Sequence, residues 1–262
     1  MSQQFVIDGR GVARQFALSI GSVPLCLRFL SSDLESPLKN RYGAFADATP
    51  DARAIVMDSF LTHSSSGTAD FEYAFEGSLL RAIPGNIRFE GIRTEYCVDA
   101  MLRIYLSWAL LSLDGFLLHA ASVVRDGRAY VFTGRSGAGK STLASLAPEG
   151  SVLTDEISLL RKVDGEWRAY GTPFWGEFRA AGQNTSAPVA GIFRLLQSPS
   201  NAITTISSKE LLRALLPNVL FFSSDQGHNA RLLEILTAAV REIQGYNFEF
   251  RKDPTLWEVL PQ

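Results

Sequence analysis

Residues 129–147 read AYVFTGRSGAGKSTLASLA, and this run constrains the fold more than any other part of the chain. An apolar, strand-forming stretch (AYVFT) feeds a loop that satisfies GxxxxGK[ST] from Gly134 to Ser141, and the loop opens into a helix-forming segment. Strand, glycine-rich loop and helix in that order is the context this motif requires. The glycines let successive backbone N–H groups turn inward as an anion-binding nest, and the helix start adds partial positive charge. Gly134, Ser136, Gly137, Ala138, Gly139, Lys140, Ser141 and Thr142 are therefore the expected phosphate-binding residues. Lys140 can reach β- and γ-phosphates, and the Ser141 hydroxyl suits Mg²⁺.

Such a loop alone fits an ATPase, a GTPase, a transporter subunit or a kinase. No NKxD-type guanine-reading motif follows it, which weighs against a Ras-like GTPase, and no LSGGQ-like signature, which weighs against an ABC-type ATPase. Two flanking features narrow the choice. Upstream, residues 117–124 and 129–133 are strand-like and joined by Arg125, Asp126, Gly127 and Arg128, a good hairpin signal because a tight primed turn needs residues that tolerate positive φ. The hairpin brings His119 towards the loop end of the second strand; such a histidine is either a satisfied core residue or one that faces bound phosphate. Downstream, a breaker (Pro148, Glu149, Gly150) and a short strand deliver Asp155 and Glu156 only fifteen residues after Lys140. Adjacent acids can divide metal binding and base catalysis between them, or they can be a solvated turn.

The remainder bounds the class. At 262 residues, with 46% hydrophobic and 20% charged residues and a net charge of −2, the chain has ample core and no charge excess pointing to nucleic acid or an anionic membrane. The two cysteines, Cys26 and Cys97, lack metal-ligand spacing and read as buried free thiols of a reducing compartment, with a disulfide the less favoured alternative. No signal peptide is visible, and the apolar stretch over residues 96–118 is broken by Asp99, Arg103 and Asp114 into a clean run of about ten residues, too short to span a bilayer. A cytoplasmic location is expected. Residues 15–30, 53–57 and 70–75 read as strands and 99–113 as a buried helix ended by Gly115. Residues 207–210 form a capping-box pattern before a helix stopped by Pro217, residues 229–244 a second amphipathic helix, 246–250 a terminal strand and 255–260 a last short helix. Residues 180–188 read as a mobile loop, a lid or a segment without a role. His63 and His228 read as structural or surface residues.

Together LLHAASVV, DGRAYVFTG, GRSGAGKST and LTDEISLL resemble the C-terminal catalytic domain of HPr kinase/phosphorylase, whose fold is shared with phosphoenolpyruvate carboxykinases. The resemblance covers residues 115–160 and is weaker beyond. It implies an α/β (α+β mixed-sheet) nucleotide-binding and catalytic domain over residues 96–262, with residues 1–95 a strand-rich region of unknown role. It further implies that Lys140 and the loop amides hold ATP, that Ser141 and Glu156 bind Mg²⁺, that Asp155 is the base towards an acceptor hydroxyl, and that His119 lies near the transferred phosphate. Relatives often form homo-oligomers. The glycine-rich signature that follows the acidic pair in HPr kinases is absent; residues 171–179 read GTPFWGEFR instead, where Glu177 could be a further metal ligand and Arg179 a phosphate contact, or the two an ordinary surface pair.

The leading expectation is a Mg²⁺- and ATP-dependent kinase acting on a hydroxyl of a peptide, a protein or a small molecule. The alternatives are a non-catalytic nucleotide-binding regulatory module and a carboxykinase-like enzyme.

Overall fold

A computed structural model describes residues 5–6, 12–29, 32–47, 55–58, 71–75, 78–83, 86–90, 94–176 and 182–261, with side chains over 15–27, 33–47, 94–176 and 182–261. The chain is a mixed α/β protein. One sheet comprises β1 (Phe5–Val6), β2 (Val12–Ile20), β3 (Val23–Phe29), β4 (Ile55–Asp58), β5 (Phe71–Phe75), β6 (Ser78–Ile83) and β7 (Asn86–Glu90), in the order β1-β2-β3-β4-β7-β6-β5. β4 runs parallel to β3 and β7, and the other pairs are antiparallel. The expected strand over residues 15–30 is two strands, because Gly21 and Ser22 take left-handed φ values of 59° and 63° and turn the chain. Pro24 falls at the start of β3, ahead of the residues bonded to β4, where its missing N–H costs nothing. Helix α1 (Glu35–Tyr42) follows β3.

Helix α2 (Glu95–Ala109) is capped by Thr94, whose hydroxyl accepts from Cys97 N–H, and continues as a 3-10 turn over Leu110–Leu113. The expected stop at Gly115 falls one residue earlier: Asp114 adopts the left-handed conformation (φ 51°) and Gly115 already begins a strand. The run Glu95–Leu113 is, at 19 residues, long and apolar enough to cross a membrane by length and composition alone. Its apolarity has a use within the fold. Val98, Met101, Leu102 and Leu106 share one core with Leu18, Leu25, Tyr42 and Phe45 on one side and Leu117, Ile157, Leu159 and Phe174 on the other.

The second sheet contains β8 (Gly115–Arg125), β9 (Arg128–Thr133), β10 (Val152–Thr154), β11 (Ile157–Val163), β12 (Glu166–Tyr170), β13 (Ser186–Gln197), β14 (Ala202–Ile206), β15 (Val219–Leu220) and β16 (Gly245–Phe250). The pairing closes on itself: β8 bonds β9, β9 bonds β13, β13 bonds β12, β12 bonds β11, and β11 returns to β8. The β8–β9 hairpin turns at Asp126 and Gly127, both left-handed as expected (φ 51° and 74°). α3 (Lys140–Ser145) follows β9, while α4 (Ser208–Leu215) and α5 (Gln226–Glu242) cover another face. Leu211, Leu215, Leu232, Ile235 and Leu236 of these two helices pack on Leu118, Val131 and Ile192. The Ser207 capping box forms, with Glu210 N–H donating to Ser207 Oγ and Ser207 N–H to the Glu210 carboxylate. Residues 186–188, expected as part of a mobile loop, belong to β13, because they pair with β12. Cys26 and Cys97 are buried free thiols.

Candidate active site

β8 organises the site. Residues 115–119 pair with β11 and residues 120–125 with β9. His119 and Ala120 thus stand where one strand changes partners. Ala120 N–H donates to the Glu156 carbonyl at 3.1 Å, while the Thr133 hydroxyl donates to the His119 carbonyl at 3.1 Å. These two belong to one peptide group, whose C=O and N–H point to opposite edges of the strand. The glycine-rich loop after Thr133 and the acidic step before Ile157 therefore leave from the two edges of β8 at the same height, with His119 between them.

Buried hydroxyls stabilise this junction, where the ladder is irregular between Val152 and Thr154. Ser158 donates to the Ala120 carbonyl (2.9 Å) and lies 2.5 Å from the Ser122 hydroxyl, while Thr172 donates to the Ile157 carbonyl (2.6 Å). Each supplies a partner inside a dry core.

The loop over residues 134–139 is turned by two left-handed glycines. Gly137 and Gly139 take φ values of 77° and 109°, open to glycine and strained for any other residue. A Cβ on Gly139 would also strike the Phe250 ring. Lys140 is 7% exposed and donates from Nζ to the Gly134 carbonyl at 3.0 Å, folding back over the loop. The Gln197 side chain fixes the loop from outside through the Gly137 carbonyl (2.8 Å).

An open cleft of about 590 Å³ lies over the loop, lined by Ser136, Gly137, Gly139, Lys140, Ser141 and Thr142, and also by His119, Glu156, Trp175, Gly176 and Lys252. Asp155 is buried and stands directly behind this wall: a Cβ on Gly176 would meet its Oδ2 at 2.5 Å. Of the residues expected from sequence, Ser136, Gly137, Gly139, Lys140, Ser141, Thr142, His119 and Glu156 line one cleft and Asp155 adjoins it. Gly134 and Ala138 line a neighbouring hollow with Arg135, Arg194 and Arg213, and Ser136 and Gly137 border both spaces. Glu177 and Arg179 fall outside the described residues, as do residues 180–181 of the expected loop and His63. His228 has a local structural role, its ring 3.0 Å from the Ser223 hydroxyl near the start of α5.

His119 lies 3.5 Å from a Glu156 carboxylate oxygen. Burial, then the charges of Lys140 and Arg103, lower its pKa to about 4. The ring is consequently neutral at neutral pH, and its contact with Glu156 is not an ion pair. Among the described residues no three His, Cys, Asp or Glu side chains cluster as a metal site. Mg²⁺ does not need one, since it takes one or two carboxylates and fills its shell with phosphate and water oxygens. Ser141, Asp155 and Glu156 are oxygen donors of the right kind, so the donor chemistry fits.

Sequence reading missed Trp175, Gly176 and Lys252 as cleft residues, and the charged group beside them. Arg41 of α1, 3% exposed, donates to Asp99 Oδ1 of α2 at 3.0 Å, Tyr42 Oη donates to the same oxygen at 3.2 Å, and Arg103 pairs with Asp99 Oδ2 at 2.7 Å. The available signal was Asp99 and Arg103 one turn apart in an otherwise apolar helix. Arg41 lies 58 residues from Asp99 in sequence and had no comparable signal.

A mixed α/β fold thus brings a glycine-rich loop and a carboxylate pair to one cleft. A family model described as SynChlorMet cassette protein ScmC matches residues 95–216, under half of the chain but including the glycine-rich loop and the acidic pair. Among solved structures, an Hpr(Ser) kinase/phosphatase from Coxiella burnetii is similar at 18% identity over 48% of this chain and 89% of that one, with a TM-score of 0.24, a weak structural kinship. No curated protein matches.

Proposed function

We propose that the chain is a Mg²⁺- and ATP-dependent kinase that phosphorylates a hydroxyl, on a nucleotide-binding core of the HPr kinase and phosphoenolpyruvate carboxykinase type. The observation that carries this reading is the single cleft bounded by the glycine nest, Lys140, Ser141 and Glu156 and backed by Asp155. A phosphate store and a candidate base meet there.

In this reading the N–H groups around Gly137 and Gly139 hold phosphate oxygens, and Lys140 exchanges its loop carbonyl for the β- and γ-phosphates. Asp155 takes the proton of the acceptor hydroxyl as that oxygen bonds to the γ-phosphorus and the bond to the β–γ bridging oxygen breaks, releasing ADP. Ser141 and Glu156 would hold Mg²⁺, which when bound neutralises charge on the phosphates. A neutral His119 can donate one hydrogen bond towards the transferred group. Catalysis is then positioning and charge neutralisation rather than covalent chemistry.

The test is transfer from γ-labelled ATP to lysate fractionated into proteins, peptides and metabolites, with wild type beside Asp155→Asn and Lys140→Ala. Label in one fraction with wild type, lost in Asp155→Asn while ATP still binds, is the expected result. Tight ATP binding without transfer to any fraction would replace the kinase by a nucleotide-sensing module.

A further inference from the structure

Beside the cleft lies a second hollow of about 330 Å³, lined by Arg41, Tyr96, Asp99, Ala100, Arg103, Trp175 and Gly176. Trp175 and Gly176 line both spaces, so the two adjoin along one short segment. Gly176 is also the residue packed against the Asp155 carboxylate. The hollow therefore opens next to the group that would receive the acceptor's proton.

Its chemistry is cationic. Two guanidinium groups share one carboxylate, and Asp99 is the only acid in the lining among the described residues, which leaves one positive charge over. That charge sits between aromatic rings. The Arg41 guanidinium lies 4.3 Å from the Trp175 ring centre and 5.5 Å from that of Tyr96, and Arg103 lies 5.1 Å from that of Phe174. Two donors here, Arg103 Nε and Trp175 Nε1, are buried without a hydrogen-bond partner. Unsatisfied donors beside a hollow add to its need for an acceptor, and a guanidinium can take both oxygens of a carboxylate. A structural tie between the two halves of the chain would explain the Arg41–Asp99 pair. It explains neither the surplus charge nor the two orphaned donors, nor why the hollow abuts Asp155.

We infer that this hollow is the acceptor-recognition subsite, binding a carboxylate of the molecule that is phosphorylated, close to its reactive hydroxyl. The inference rests on the kinase reading for the word acceptor, and on the hollow alone for the carboxylate. It gives the N-terminal region a role, since Arg41 comes from α1. Residues 171–176, which replace the glycine-rich signature of HPr kinases, would join the subsite to the cleft.

The indole N–H resonance of Trp175, assigned by its loss in Trp175→Phe, reports occupancy directly. Four probes separate the sources of the carboxylate. N-acetyl-glutamyl-serinamide and its glutaminyl counterpart test an acidic side chain; N-acetylserine and N-acetylserinamide test a free C-terminus. The expected result is a saturable shift with at least one charged probe, at least about tenfold weaker binding of its neutral partner, and a similar loss in Arg103→Gln. Equal shifts from charged and neutral probes, no shift from either charged probe, or undiminished binding to a folded Arg103→Gln would each overturn the subsite. The two readings fail separately. A carboxylate-dependent shift with no label transfer in the lysate experiment keeps the subsite and ends the kinase reading. Label passed equally to charged and neutral acceptors keeps the kinase and removes the subsite.

Discussion

His119 occupies a position where burial and two neighbouring cations all disfavour its charged form, and this has a consequence for stability. Its folded pKa of about 4 lies below the ordinary value of 6.5, so the unfolded chain takes up the proton first as pH falls. The stability contributed by keeping the ring neutral is complete above about 6.5 and is lost as pH falls towards 4. Urea unfolding midpoints of wild type and His119→Gln should therefore run parallel above pH 7 and converge or cross between pH 6.5 and 4. Bound phosphate would oppose Lys140 and Arg103, so NMR titration should find the His119 pKa raised when ATP is present. Gly176 makes a second prediction at this scale. A Cβ there intrudes on Asp155 Oδ2 at 2.5 Å and on Glu156 Cβ at 3.1 Å. Gly176→Ala should lower phosphate transfer on the order of a hundredfold through misplacement of the base, with a stability loss of only about 1–3 kcal/mol measured by denaturant titration.

The elements divide into those specified locally and those specified by partners. The capping box before α4 is local: Ser207 and Glu210 satisfy each other's exposed termini within four residues. Ser207→Ala should cost about 1 kcal/mol in a urea titration and leave nucleotide binding unchanged, because the box lies away from the cleft lining. The hairpin turn at Asp126 and Gly127 is similarly legible, since left-handed φ is a property of those two residues. β8 is different. Its residues read as one strand and β9 follows it through the turn, but the flanking of the histidine by the loop and the acidic step depends on β11 arriving from beyond α3 and β10 to take the other edge. β13 likewise serves β12, β9 and β16 in turn along its 12 residues, and part of it reads from sequence as loop because its opening residues are small, polar or proline.

Over the whole molecule, the strand-rich N-terminal region and the glycine-loop half share a core. The β2–β3 turn docks on β11, where Arg161 donates to the Gly21 carbonyl at 2.9 Å and a Cβ on Gly21 would strike Leu159. Arg41, Tyr42, Asp99 and Arg103 add a polar tie in which Arg41 and Asp99 are almost fully buried. Asp99→Asn would leave Arg41 charged without its counter-ion, and should destabilise by about 3–5 kcal/mol. Because α2 packs on both sides of the shared core, that loss should appear as one cooperative transition by both far-UV circular dichroism and tryptophan fluorescence. Two separated transitions would mean that the halves unfold independently.

The sequence by itself determined the strand–loop–helix unit, the primed turn before it, the capping box and the two buried thiols. Each follows from backbone sterics, short-range hydrogen bonding or the chemistry of a residue type, all of which act within a few positions along the chain. Only the tertiary structure decided that the pairing closes on itself, that burial and nearby cations lower the His119 pKa, that Gly134 and Ala138 line a neighbouring hollow, and that Arg41 reaches a hollow beside Asp155. Those outcomes depend on desolvation and on contacts between residues tens of positions apart, and such quantities have no value until the chain has folded.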